Sequence, residues 1–186
     1  MANILFITTE YLKTNTAIDD NIDNSILTPY ITQAQKIHIE PILGTVLYKK
    51  LQADITAGSV TGVYKTLLDD YIQNTLAYWT MYDSLPFLNY KVTNKSIVTK
   101  GSETSAAIGL DELRYLHANI RDNAEYLSQR ITKYLVTNQS SFSEYRSNSE
   151  IDEIRPNSTS YFSGIYLGNG SNNDCNDGLG LGIELN

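Results

Sequence analysis

The stretch "LDELRYLHANIRDNAEYLSQRITKYL", residues 110–135, decides the fold class. Its apolar residues recur at intervals of three and four positions: Leu113, Leu116, Ile120, Ala124, Leu127, Ile131 and Leu135. Because an α-helix has 3.6 residues per turn, this spacing places them on one side, and most charged residues fall on the others. The stripe predicts a long amphipathic helix that begins at Ser102 or Thr104 and packs into a mainly α protein.

Shorter helical patterns precede this one. A short helix is expected from Thr8 to Lys13. A second helix opens at Asn24 or Ser25 and runs toward Glu40, where the following Pro41 predicts a break. Its apolar residues fall on one predicted face: Ile26, Leu27, Tyr30, Ile31, Ala34 and Ile37.

Two more helices follow. The pattern predicts one from about Thr45 to Gly58. The next begins near Thr61 and keeps helical spacing until Pro86, which is expected to end it. The sequence therefore predicts a bundle of helices.

The stretch "NYKVTNKSIVTKG", residues 89–101, is different because most of its residues are β-branched or polar. It predicts a β-hairpin at about residues 89–100, inserted between two helices. A turn at Asn94-Lys95 would place Val92 opposite Ile97 and Tyr90 opposite Thr99. Since an isolated two-stranded ribbon is only marginally stable, it needs a surface to pack on. We expect a subunit interface that uses Tyr90, Val92, Ile97 and Val98.

The last part of the chain changes character at about residue 147. Residues 1–146 form the predicted helical domain, and residues 147–186 form an extended C-terminal arm rich in Ser, Asn and Gly. Within the arm, "SYFSGIYLG" (residues 160–168) predicts an aromatic strand. Its candidate partner-binding residues are Tyr161, Phe162, Ile165, Tyr166 and Leu167. The alternative is a frayed terminus without a partner.

Composition limits the function. The chain has 186 residues, a net charge of −7 and 14 tyrosines, and its acidity argues against non-specific binding to duplex DNA. Tyrosine suits half-solvated contact surfaces, although it also occurs at the edges of cores. A single cysteine cannot form an internal disulfide, and neither a signal peptide nor a membrane span is recognisable. We therefore expect a soluble protein made in a cytoplasm.

Residues able to perform catalysis are scarce. The two histidines, His38 and His117, lie in helical patterns without metal-ligand spacing, and Cys175 lies in the Gly/Asn-rich tail. No phosphate-binding loop or nucleophile motif occurs. We expect no catalytic residue, no metal and no cofactor, and so a binding protein rather than an enzyme.

Several segments, taken in order, resemble one family. They are "ITTEYLK" (7–13), the segment from Ile26 to Leu51 that includes "AQKIHIEPILGTVLYKKL", "YWTMYDSLPFLNYKVTNKSIV" (78–98), the stretch 103–135 with "ETSAA", "ELRYL" and "IRDNAEYLSQRITKYL", and "FSEY" (142–145). In this pattern the chain resembles the head–tail connector (adaptor, or neck-ring) proteins of tailed bacteriophages, of the crAss-like, Bacteroidetes-phage type. The resemblance covers roughly residues 1–146.

The resemblance implies a structural virion protein. Such proteins form a homo-oligomeric ring, commonly a dodecamer, that joins the portal to the next tail or stopper protein, and DNA passes through its lumen. It implies location in the capsid–tail neck of a virion, after synthesis in the host cytoplasm. The alternatives are a small helical regulatory or ligand-binding module, acting as a monomer or dimer, and another virion part such as a tail-completion protein.

Overall fold

The fold is mainly α-helical, as the sequence predicts. The structure is a computed structural model that describes residues 4–92, 97–99, 109–145 and 154–156. Its first helices are α1 (Thr9–Asn15), α2 (Asn24–Ala34), α3 (Glu40–Leu43) and α4 (Thr45–Ala57). They are followed by α5 (Gly62–Thr66), α6 (Gln73–Asn89) and α7 (Leu110–Thr137), and then by a 3₁₀ turn, Gln139–Ser141.

Two π-helical turns join neighbouring helices into longer rods. Residues Gln35–Ile39 connect α2 to α3, and Leu67–Ile72 connect α5 to α6. The break expected at Pro41 is therefore wrong, since the helix passes through this proline and ends at Leu43. The wider π turn lets the Glu40 N–H bond the Gln35 carbonyl and leaves Pro41 at the start of a new α segment, where its missing N–H costs least.

The end expected at Pro86 is also wrong, because α6 continues to Asn89. Pro86 has no N–H to donate to the carbonyl of Tyr82, four residues earlier. The Nε2 atom of His117 on α7 lies 3.1 Å from that carbonyl oxygen. A side chain from another helix thus bonds the carbonyl that the proline leaves without its helical partner.

The long helix begins later than expected, at Leu110 rather than at Ser102 or Thr104. Gly109 is extended, and its N–H donates to the Glu112 carboxylate at 3.3 Å, which satisfies one of the free amides at the helix start. The glycine therefore stands outside the helix as its N-cap.

The core lies where α6 contacts both α2 and α7. Most of the predicted stripe of α7 is buried, but Leu116 is exposed and Leu127 is half-buried. Ser128 is buried instead, because its hydroxyl accepts a 2.9 Å hydrogen bond from the Trp79 indole of α6. The single face predicted for α2 is correct for Leu27, Ile31 and Ala34 and wrong for Ile26 and Ile37, which are exposed.

Two short strands follow α6. β1 (Tyr90–Val92) and β2 (Ile97–Thr99) are antiparallel. Their register pairs Tyr90 with Thr99, Lys91 with Val98 and Val92 with Ile97. Residues 93–96, which include the expected turn, lie outside the described residues.

Candidate interaction surfaces

The interface residues expected from the sequence are described only in part. Tyr90, Val92, Ile97 and Val98 belong to β1 and β2, for which the structure describes the backbone and its pairing. The arm residues lie outside the described residues: Tyr161, Phe162, Ile165, Tyr166 and Leu167. The exposed aromatic side chains whose positions the structure describes lie on the helices.

An exposed apolar surface lies just before β1. We call it the α2–α6 patch, and it consists of Ile26, Tyr30 and Phe87. Ile26 is 42% and Phe87 50% exposed. The rings of Tyr30 and Phe87 are stacked, with centroids 5.6 Å apart and planes 26° from parallel. Since Phe87 precedes Tyr90 by three residues, this patch sits at the base of the two strands.

A second aromatic surface lies on the outer side of α7. Tyr115 and Tyr126 are 76% and 62% exposed. They are eleven residues apart, which is close to three helical turns, so they share one face. At 100° per residue this face points about 130° away from Ile120 and about 170° away from Ala124, both of which are buried. We call Tyr115 and Tyr126 the α7 outer stripe.

The two histidines lie in a row of stacked rings that joins three helical segments. His38 stacks on Trp79 at 3.7 Å and 4°, and His117 stacks on Tyr82 at 3.9 Å and 19°. Trp79 and Tyr82 meet edge to face at 5.5 Å. The Nε2 atom of His38 lies 3.4 Å from the carboxylate of Asp83. Both Nε2 atoms therefore face polar groups of α6, in a cluster that sequence spacing does not reveal.

Metal ligands do not gather in the described part of the chain. Over residues 4–92, 97–99, 109–145 and 154–156, no group of three His, Cys, Asp or Glu side chains is placed to hold a metal ion. Among the same residues, no helix has the length and apolar character needed to cross a bilayer.

Several residues of the segment "AQKIHIEPILGTVLYKKL" are buried and hold the fold together. The side-chain oxygen of Gln35 accepts the Phe6 N–H at 2.9 Å, and its nitrogen donates to the Ile4 carbonyl at 2.9 Å and the Tyr48 hydroxyl at 2.8 Å. Gln73 adds a 3.2 Å hydrogen bond to the Phe6 carbonyl. These amides hold the extended N-terminal segment against the helices.

Residues 154–156 contact the body at the start of α4. The Thr45 N–H donates to the Ile154 carbonyl at 3.0 Å, and the Ile154 N–H donates to the Thr45 hydroxyl at 2.9 Å. A Cβ atom on Gly44 would lie 2.8 Å from Pro156 ring carbons, and Gly44 has a φ of +77°. We call this contact the C-terminal clip. This contact sets the place on the body, next to the start of α4, from which the chain continues to residue 157.

The "FSEY" segment ties the end of α7 to α4 and α5. Phe142 and Tyr145 are buried, and the Tyr64 hydroxyl donates to the Glu144 carboxylate at 2.7 Å. Burial, followed by this bond to an anion, raises the pKa of Tyr64 to about 12. Burial disfavours ionised Glu144, but hydrogen bonds from the Tyr64 hydroxyl, the Glu144 backbone N–H and Ser143, together with nearby Lys50, outweigh it and lower the Glu144 pKa.

These features define a mainly helical protein with exposed aromatic surfaces on two helices. The chain belongs to the family described as "Family of unknown function (DUF6712)", whose model matches residues 39–155. The match begins at the last residue of the first π turn and ends within the C-terminal clip. Its two ends therefore lie near Thr45 and Ile154, which are hydrogen-bonded to each other. Comparisons with curated proteins and with solved structures give no match.

Proposed function

We propose that this protein is a virion structural protein of a tailed bacteriophage. In this proposal its copies form a homo-oligomeric, dodecameric ring in the capsid–tail neck, and the ring joins the portal to the tail or stopper protein. The sequence resemblance over residues 1–146 supports the proposal. The protein is made in the host cytoplasm, has no cofactor and is not an enzyme.

The observation that carries the proposal is the presence of two separate exposed aromatic surfaces. A closed ring with one copy per position needs two different patches on each subunit, which meet head to tail. The α2–α6 patch (Ile26, Tyr30, Phe87) and the α7 outer stripe (Tyr115, Tyr126) lie on different helices, and exposed aromatic residues are enriched at protein interfaces. They are candidates for the two sides of one subunit–subunit contact.

The same proposal gives roles to the hairpin and to the C-terminal arm. The segment at about residues 89–100 is an inserted hairpin whose Tyr90, Val92, Ile97 and Val98 pack against a neighbouring copy, and whose open edge can add to a neighbour's backbone. Residues 147–186 form an extended arm that continues from the body near the C-terminal clip. Its residues Tyr161, Phe162, Ile165, Tyr166 and Leu167 dock on the portal.

The acidic character of the chain fits passage of DNA. With a net charge of −7, a lumen formed by these subunits would repel phosphates rather than hold them, so DNA would slide without sequence-specific binding. Changing lumen-facing carboxylates to lysine is expected to slow ejection, and an unchanged ejection rate would contradict this part of the proposal.

The test is to image the full-length protein after co-expression with the portal of the same phage. We expect a ring on the portal, with the α2–α6 patch of one copy against the α7 outer stripe of the next. F87E and Y126E should each prevent the ring because a charge would be buried at the contact. S140E is a control, since Ser140 is exposed and lies in the 3₁₀ turn, outside both surfaces.

Two results would contradict the proposal. One is a portal that carries no ring, and the other is a ring that F87E and Y126E leave intact. A monomer observed without the portal would not contradict it, because such subunits can require the portal as a template.

The rival ligand-binding module needs a concave apolar pocket. The cleft beside Tyr71 and Tyr134 in the described part is open and includes two cations among its lining residues.

A further inference from the structure

A cleft lies between the second π turn and the end of α7. Its volume is about 300 Å³, and its lining residues are Tyr71, Arg130, Lys133, Tyr134, Thr137 and Asn138. The rings of Tyr71 and Tyr134 are stacked 4.4 Å apart at 22°. The guanidinium carbon of Arg130 lies 5.5 Å from the centre of the Tyr71 ring. The cleft thus combines two aromatic rings with two cations.

The positive charge of this cleft is only partly balanced. Within the described residues neither Arg130 nor Lys133 forms an ion pair, whereas Arg114 and Arg121 on the same helix pair with acidic neighbours. Burial raises the pKa of Tyr134, and Tyr71 and Asp70 raise it further, so the carboxylate of Asp70 lies near the cleft. Two cations against one nearby carboxylate leave a local positive excess on an acidic chain.

The sequence supplies a complementary segment. Residues 168–186 contain Asp174, Asp177 and Glu184 and no lysine or arginine. We propose that this acidic tail docks intramolecularly in the cleft, with its carboxylates against Arg130 and Lys133. This docking goes beyond the proposed neck function and does not depend on it.

The connecting chain is long enough to allow it. Asp174 lies 18 residues beyond Pro156, which contacts the body in the C-terminal clip. A random-coil chain of 18 residues would have a root-mean-square span of about 21–25 Å. A domain of this size has a radius of gyration of roughly 15 Å. A short tether keeps the tail at an effective concentration of about millimolar, so that weak charge pairing suffices.

The chain carries the reporters for a test. Trp79 is its only tryptophan and Cys175, next to Asp174, its only cysteine. The Trp79 indole bonds Ser128, which precedes Arg130 by two residues on α7. A thiol-linked acceptor of tryptophan emission on Cys175 therefore reports when the tail reaches the cleft. We expect stronger energy transfer in full-length protein at low salt than at high salt, because salt screens exposed charges.

Matched variants separate the cleft from general attraction. R130Q/K133Q should lower the transfer to the high-salt value. R114Q/R121Q, on the same helix and with the same loss of charge, should leave it unchanged, and D174N/D177N/E184Q should lower it to the high-salt value. Circular dichroism checks that each variant is folded.

Three results would overturn the proposal. The first is energy transfer that does not respond to salt. The second is an equal loss of transfer in R130Q/K133Q and R114Q/R121Q. The third is loss on dilution into excess unlabelled protein, which would place the tail on another copy. None of these results depends on the portal, so failure here is distinct from failure of the ring proposal.

Discussion

The Nε2 atom of His117 lies 3.1 Å from the carbonyl oxygen of Tyr82, the group to which Pro86 has no N–H to donate. The imidazole also stacks on the Tyr82 ring at 3.9 Å. One side chain of α7 thus stabilises α6 at its proline and holds the two helices together.

This relationship predicts a coupling between His117 and Pro86. H117F should lower the free energy of unfolding by about 1–3 kcal/mol, because it leaves a partly buried carbonyl without a donor. In a P86A background the same change should cost less, since alanine restores the helical N–H. Urea unfolding of the four proteins measures the coupling energy. Equal costs in both backgrounds would contradict the assignment.

The C-terminal clip predicts an unusual sensitivity at Gly44. A side chain there meets both an unfavourable backbone region and the Pro156 ring, so G44A should destabilise the protein by about 1–3 kcal/mol and release residues 154–156. G58A is the control: Gly58 has a φ of +64°, but a Cβ there meets nothing within 4 Å. Hydrogen exchange at the Ile154 amide should increase in G44A and stay unchanged in G58A. Retained protection in G44A would refute the contact.

The pair of Tyr64 and Glu144 predicts a specific pH dependence. The Tyr64 pKa, near 12 in the folded state, exceeds its ordinary value of 10.0, so the folded state holds this proton more tightly. The resulting stability is present below pH 10 and is lost as the pH rises from 10 to 12. The pKa of Glu144 is lowered, so its contribution is present above pH 4.5 and lost as the pH falls through the folded value.

Y64F removes the Tyr64 contribution and the part of the Glu144 contribution that comes from this hydrogen bond. It should cost about 1 kcal/mol at pH 7, because this bond to a charged group is partly solvated. The difference in unfolding free energy between wild type and Y64F should shrink at both pH extremes. Other tyrosines ionise in both proteins, so the difference isolates Tyr64. A difference that is constant from pH 4 to 12 would contradict the predicted linkage.

Gln35 predicts a large cost for the loss of one buried polar side chain. Its amide satisfies the Phe6 N–H, the Ile4 carbonyl and the Tyr48 hydroxyl, so Q35L should lower the unfolding free energy by about 2–4 kcal/mol. Q52L is the matched control, because Gln52 reaches Ile4 and Tyr48 only at 3.4 and 3.3 Å. Equal midpoints for Q35L and Q52L in urea would show that Gln35 is not the anchor.

The sequence by itself determined the helical class and most buried positions, because apolar spacing near 3.6 residues specifies which side of a helix leaves water. Leu27, Ile31, Ile120 and Ile131 are examples. It also located Gly58 as a helix end, since a glycine readily adopts positive φ.

Only the tertiary structure decided how the prolines are accommodated and where long-range polar contacts form. Pro86 remains inside a helix because His117, 31 residues later, reaches the carbonyl next to it. Gln35 and Ile154 find partners 31 and 109 residues away, respectively. Such partners are distant in the chain and carry no periodic signal, so their hydrogen bonds are defined only once the helices pack.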